Sequence, residues 1–366
     1  MKSRLQKCYR AIKERKLDAF FVRNIHNVRY LTGFTGSTGY VILIPGATFF
    51  ITDSRYAEQA RVEVRDCTIH VLKGRLYADV QKIFNTEVFK KNSHKKTGIY
   101  RIGFESTVET IESLQQLKKA TAGNAECIPE EGIIEQLRIV KSKTELMILQ
   151  KAIDIAEEAL LKTLAYVKPG VYERDIAIEL EYLMRRCGAD DKAFHTIVAS
   201  GAHAALPHAQ PRAVAVKNGD MLLIDFGCVY QGYRSDITRT FFIGKTSAAW
   251  RRKYNAVRDA ADNAFLQLHA GVSGRDMHHT AQEVLRKNKL KKYFTHSLGH
   301  GVGLEVHEAP SLAERYDHAI PENAVVTIEP GVYLPGKGGI RIEDMVVVGE
   351  KKSIRLTTFP RELIIL

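Results

Sequence analysis

Short apolar runs and longer amphipathic stretches alternate through the first 140 positions. Ala19–Val22, Val41–Ile44, Thr48–Thr52, Ile69–Leu72 and Ile99–Phe104 are brief and bounded by polar or turn residues, which predicts strands. Between them, residues 4–16, 55–65, 77–90 and 107–119 carry helical patterns, as Leu5, Cys8 and Ile12 show on one face. Strands alternating with helices of this length imply an α/β layer domain. A polar, basic stretch from Leu137 to Lys143 then precedes a long helical pattern from Thr144 to about Tyr166. Two domains are therefore expected, residues 1–138 and 139–366.

The second segment contains a weak internal repeat. Gly170-Val171-Tyr172-Glu173-Arg174-Asp175-Ile176 recurs 101 residues later as Gly271-Val272-Ser273-Gly274-Arg275-Asp276-Met277. Each copy follows one long helical pattern and opens another, and each is followed by a strand bearing an acid, Asp225 or Glu329. This predicts a duplicated α+β half with a pseudo-twofold, whose junction is a natural place for a site.

Two β-rich runs in Met221–Gly244 flank Tyr230-Gln231-Gly232, a hairpin signal. A turn centred on Tyr230 and Gln231 would set Asp225 directly opposite Asp236. Like charges facing each other across strands destabilise a sheet, and apolar flanks such as Leu222, Leu223, Phe241 and Phe242 add a desolvation cost. A divalent cation between the acids resolves both. The competing reading is that the aspartates reach solvent or pair with Arg234 and Arg239, of which only Arg234 shares the face of Asp236. Downstream, Val325–Glu329 is an apolar strand ending in an acid, and Ile340–Asp344 brings Glu343 onto a neighbouring strand. His296, His300 and His307 lie in a stretch where Gly299, Gly301 and Gly303 argue against a helix and permit close backbone approach. His208 stands apart, held between Pro207 and Pro211.

Composition narrows the classes. At 45% hydrophobic and 26% charged the chain is globular, and 366 residues exceed one comfortable core. The net charge is +12, with 23 basic against 15 acidic side chains in residues 1–140. The clusters Lys90, Lys91, Lys95, Lys96 and Lys287, Lys289, Lys291, Lys292 lack interleaved aromatics and read as solvated surface, so no nucleic-acid partner is expected. The longest apolar run, Tyr40–Ile51, is broken by Pro45 and Gly46, so no membrane span is expected. Met1–Lys16 does not read as a signal peptide, and five scattered cysteines without a C-x-x-C pair fit a reducing cytoplasm. Ten of the 13 histidines fall between His195 and His318, which marks the second segment as the one carrying chemistry.

The motifs LLIDFGCVYQGYRSDITRTF, HSLGHGVGLEVHE, TIEPGVY and GIRIEDMVVV, in that order, resemble the pita-bread metallopeptidases, and within them the Xaa-Pro aminopeptidases and Xaa-Pro dipeptidases. VRYLTGFTGSTGYVILI resembles the N-terminal domain shared by proline peptidases and creatinase. The resemblance implies a ribonuclease H-like α/β N-terminal domain of the creatinase/prolidase type and an α+β pita-bread catalytic domain. It implies that Asp225, Asp236, His300, Glu329 and Glu343 ligate two divalent metals, with Asp236 and Glu343 bridging. Manganese suits four carboxylates and one imidazole, with cobalt, zinc or iron as alternatives. It further implies hydrolysis by a metal-bridging hydroxide, Glu329 moving the proton, His208 and His307 assisting catalysis and holding substrate, His296 orienting the bound peptide, and Tyr333 and Arg341 lining the substrate site while supporting the ligating carboxylates.

Creatinase shares the fold without these ligands, so intact ligands argue for an enzyme rather than a metal-free binding protein. The substrates implied are peptides with proline at the second position. The TGFTGS wording favours an aminopeptidase, with Xaa-Pro dipeptidase the competitor and methionine aminopeptidase more remote. The resemblance also implies a homodimer or homotetramer.

Overall fold

The computed structural model describes residues 2–89 and 99–366. The cluster Lys90, Lys91, Lys95 and Lys96 lies outside the described residues. The chain divides into two compact units, Met1–Arg138 and Ile139–Leu366.

The first unit is built on a mixed six-stranded sheet. Its strands are β1 (Ala19–Val22), β2 (Tyr40–Ile44), β3 (Ala47–Thr52), β4 (Thr68–Val71), β5 (Tyr100–Glu105) and β6 (Ala125–Glu130), in the order β4-β3-β2-β1-β5-β6. β2 is antiparallel to β1 and β3, while β4, β5 and β6 join in parallel after helical crossovers. Phe21, Ile42, Ile51, Val80, Phe84, Ile102 and Leu117 form its buried core. The predicted strands lie within two residues of those observed. The helix Ile25–Thr32 and strand β6 were not foreseen. The former is short and starts at an Asn24 cap rather than at a long apolar repeat, and the latter carries Pro129 and two glutamates.

The second unit bears out the duplicated half. Helices Lys143–Leu164 and Glu173–Arg186 open the first copy, and Ala248–Gln267 and Gly274–Lys287 open the second. Between each pair a glycine takes positive φ, +98° at Gly170 and +96° at Gly271, a conformation that favours glycine. The hydrogen bonds repeat as well. Gly170 N–H donates to Val216 O and Val216 N–H to Val171 O, while Gly271 N–H donates to Ile320 O and Ile320 N–H to Val272 O.

The strands of this unit are β7 (Asp191–Lys192), β8 (Ile197–Ser200), β9 (Met221–Phe226), β10 (Cys228–Tyr230), β11 (Tyr233–Arg234), β12 (Ile237–Phe242), β13 (Gly299–Gly301), β14 (Glu308–Leu312), β15 (Val325–Ile328), β16 (Gly331–Leu334), β17 (Gly338–Arg341), β18 (Asp344–Val347) and β19 (Ile354–Arg355). They pair as β12-β9-β8, β11-β10-β7, β14-β13-β15-β18-β19 and β16-β17. No helix among the described residues is long and apolar enough to cross a membrane.

The hairpin register differs from the expected one. Tyr230 pairs with Tyr233, so the turn is Gln231-Gly232, and both central residues have positive φ, 46° and 79°. Two-residue hairpin turns of this hand need exactly such a pair of angles, which glycine accepts and which tyrosine at 230 would resist. The register moves by two residues: Asp225 sits opposite Thr238, and Asp236 becomes its diagonal neighbour on the same face.

Arg239 occupies the other face of β12 and is buried. Its guanidinium donates to Asp344 Oδ1 at 2.7 Å and to the carbonyls of Thr238, Glu343, Phe359 and Pro360. It therefore ties the C-terminal segment to the sheet. Replacing it (Arg239→Met) takes the guanidinium donors from four carbonyls, while Asp344 keeps Arg355 at 2.9 Å and Arg361 at 3.6 Å and Thr238 O keeps the Glu343 N–H. The expected loss is about 1–3 kcal/mol, from carbonyls left without a donor, read as a lowered urea midpoint at unchanged m value. An unchanged midpoint would show that the tie carries no stability.

Candidate metal centre

Each ligand candidate stands near the end of a strand or in the adjoining turn. Asp225 is the next-to-last residue of β9, Asp236 precedes β12, His300 is central in β13, Glu329 follows β15, and Glu343 lies between β17 and β18. An isolated bridge between Thr238 and Glu343, with Glu343 N–H donating to Thr238 O at 3.1 Å, joins the two halves. The duplicated geometry thus delivers one acidic hairpin from each half to a common point.

There, Asp236, His300 and Glu343 bring ligand atoms within 4.8 Å of one another, the one such group found among the described residues. His300 Nε2 is 3.3 Å from Glu329 Oε1 and 3.6 Å from Asp236 Oδ2. Its Nδ1 faces Gly301 O at 3.1 Å, which leaves Nε2 to face the carboxylates. Asp225 is held differently, with Oδ2 accepting from Arg341 Nη2 and Oδ1 buried without a hydrogen-bond partner. Arg239 pairs with Asp344. Arg234 donates to the Gly303 carbonyl through its backbone N–H and to the Leu304 carbonyl through its guanidinium.

Burial and mutual repulsion dominate the electrostatics. Asp236 and Glu343 are 4% and 2% exposed. Burial, then the neighbouring carboxylates, pushes both carboxyls well above the ordinary range. Asp225 is also raised, by burial first, against the pull of Arg341. Burial raises Glu329, but the bond and charge of His300, with the charges of His296 and Arg341, more than offset it and lower the carboxyl, while the His300 imidazole is raised against its own burial by Glu329. Four acids face one guanidinium, and an Oδ1 is left without a donor. That donor set fits hard divalent cations, which supply the missing positive charge.

Arg341 is the hub of the support. Nη1 donates to Tyr333 OH at 2.6 Å and to Pro207 O at 3.3 Å, and Nε donates to Thr238 Oγ1 at 3.0 Å. The Tyr333 hydroxyl also lies 3.0 Å from His296 Nε2, while His296 Nδ1 faces Ser297 O at 2.7 Å. Burial lowers the pKa of His296, and with Nδ1 donating to Ser297 O and the Tyr333 oxygen accepting from Arg341, the Tyr333 hydroxyl is left to donate to Nε2. The His307 ring lies 4.2 Å from that of His300, centroid to centroid.

Asp225, Asp236, His208, His296, His300, His307, Glu329, Arg341 and Glu343 all line one cavity of about 830 Å³. Tyr333 stands behind it, on Arg341. Sequence reasoning missed Thr238, which donates to Glu343 Oε2 at 2.6 Å, and Thr327, whose hydroxyl lies 3.3 Å from Glu329 Oε1. Each is two residues from an acid along a strand, so the period of two was the available signal. His195 and Phe194, which also line the cavity, carried no motif.

Comparison with known proteins agrees with this architecture. Residues 147–350 match metallopeptidase family M24, and residues 4–140 match the creatinase/prolidase N-terminal domain. The Xaa-Pro dipeptidase of Pyrococcus furiosus is 35% identical over 100% of both chains. Among solved structures, a Xaa-Pro dipeptidase from Bacillus anthracis superposes with a TM-score of 0.93 at 38% identity, covering 100% of this chain and 99% of that one. An X-Pro aminopeptidase from Thermotoga maritima gives 0.87 at 37% identity, covering 98% and 100%. With the fold, the acidic hairpins and the whole-length likeness in agreement, the chain belongs to metallopeptidase family M24, a hydrolase with a creatinase-type N-terminal domain and a pita-bread catalytic domain.

Proposed function

We propose that the chain is a Xaa-Pro dipeptidase, cleaving the bond before a C-terminal proline. The carrying observation is its whole-length likeness to Xaa-Pro dipeptidases, in sequence and in structure. This reverses the preference for an aminopeptidase that the TGFTGS wording suggested, since that wording lies outside the catalytic unit. A dipeptidase must also recognise a free carboxylate beyond proline. Arg341 is committed to Asp225, Tyr333 and Thr238, so the donors available for it are among the cavity's other polar side chains, which include His195, His208, His307, Gln210, Ser311 and Tyr316.

Asp225, Asp236, His300, Glu329 and Glu343 would hold two divalent cations, for which manganese suits the oxygen-rich set. Bound there, the cations would supply Lewis acidity toward the scissile carbonyl and make water a nucleophile near neutral pH. Glu329 takes the proton of the attacking water and returns it to the proline nitrogen. That nitrogen belongs to a tertiary amide without N–H, so it must gain a proton to leave. Thr327 engages Oε1 of Glu329, leaving Oε2 as the atom for proton transfer. His208 and His307 donate to the substrate oxygens as negative charge develops on them. His296 and Tyr333 orient Arg341, which in turn fixes Asp225.

The second reading, an Xaa-Pro aminopeptidase, is favoured by the Thermotoga maritima likeness. Two outcomes separate the alternatives and test the proton path. The Mn²⁺-loaded protein should cleave Gly-Pro and leave a Gly-Pro-Xaa tripeptide intact over the same time course; cleavage of the tripeptide would favour the aminopeptidase. Glu329→Gln should lower kcat by about 10²–10⁴-fold while keeping part of the bound metal, as measured by turnover and elemental analysis together. Turnover near that of the wild type with full metal content would remove Glu329 from proton transfer.

A further inference from the structure

Glu173 opens the helix Glu173–Arg186, and its side chain is fully buried. Oε1 accepts from the Ser200 N–H and hydroxyl, both at 2.7 Å. Oε2 accepts from Arg212 N–H at 3.2 Å and Arg212 Nε at 3.4 Å, with His203 Nδ1 at 3.0 Å. Burial raises this carboxyl, but the bonds from Ser200 and Arg212 more than offset it and hold the group below the ordinary carboxylate range. The helix start adds backbone ties, with Glu173 N–H donating to Val214 O and Arg174 N–H to Arg212 O.

Ser200 and Arg212 are the two ends of the segment that carries His208. The middle of that segment is pressed against the metal-centre strands. Pro207 O accepts from Arg341, and a Cβ at Gly339 would come within 2.0 Å of Ala204 O. The other half of the repeat shows that the carboxylate is not a requirement of the helix start. There the equivalent residue is Gly274, and a Cβ on it would meet Ser311 O at 2.0 Å, so backbone closes directly on the helix. The two copies share a start and differ in what they clamp.

We propose that Glu173 is a positioning residue that pins both ends of residues 200–212 and thereby holds His208 toward the cavity. Glu173 touches no metal ligand and does not line the cavity, so it acts through His208 and Pro207. The inference rests on the reading that His208 contacts substrate.

The test is a double-mutant cycle on the Mn²⁺-loaded full chain, with whichever of Gly-Pro or a Gly-Pro-Xaa tripeptide it cleaves. Glu173→Gln keeps the shape and removes the charge. It should lower kcat/KM about 10-fold or more with metal content unchanged, since small displacements of a positioned group are costly. In the His208→Ala background the same change should cost less than about 2-fold, because the group it positions is gone. A purely structural role would multiply the two losses, and that result overturns the proposal, as do wild-type kcat/KM or lost metal in Glu173→Gln. If Glu173→Gln does not fold, Ser200→Ala removes the hydroxyl bond to Glu173 Oε1 and keeps the Ser200 N–H bond; the expected loss is about 2–5-fold, again absent in the His208→Ala background. Full multiplicative loss there counts equally against the proposal. Unchanged kcat/KM in His208→Ala alone would instead contradict the role of His208 in the proposed function.

Discussion

Four carboxylates converge on a cavity in which one guanidinium, Arg341, is their arginine partner. An apolar interior cannot hold that much like charge without compensation, and burial raises Asp225, Asp236 and Glu343 for that reason. The surroundings are built around this constraint. Thr238 donates to Glu343 and accepts from Arg341, Thr327 reaches Glu329, and His300 turns its Nε2 inward by facing Gly301 O with Nδ1. Each polar contact orients an acid without neutralising it. Such an arrangement is wasteful for stability and well suited to cations.

The duplication explains how the acids come together. Each half presents a helix pair, a positive-φ glycine and an acidic hairpin, tied by the same backbone bonds at Gly170 and Gly271. The bridge between Thr238 and Glu343 then joins the hairpins edge to edge. The halves diverge where chemistry is asymmetric: the second supplies the His296, His300 and His307 stretch, while the first supplies His208 on a segment closed by Glu173.

Much of this was legible in the chain. Alternating apolar runs located the first unit's strands, and the 101-residue repeat anticipated the duplicated half. The acids were visible because carboxylates in apolar strands are conspicuous. The hairpin register was misread, because the turn type depends on backbone angles at Gln231 and Gly232 that composition alone does not rank above Tyr230 and Gln231. Yet the shift of two residues preserved the shared face of Asp225 and Asp236, so the inference of a common site survived it. Contacts that depend on tertiary closure were out of reach, among them Arg341 with Asp225 and the clamp at Glu173, which joins residues 27 and 39 positions apart.

The account stands on the claim that Asp225, Asp236, His300, Glu329 and Glu343 together hold a pair of dications. Metal content per folded chain tests this most directly, measured by elemental analysis after equilibration with Mn²⁺ and removal of free ion. The account predicts two ions per chain in the wild type and at most one in Glu343→Gln, with the fold retained by circular dichroism. A folded wild-type chain that retains no metal, or a Glu343→Gln variant that still retains two ions, would contradict it.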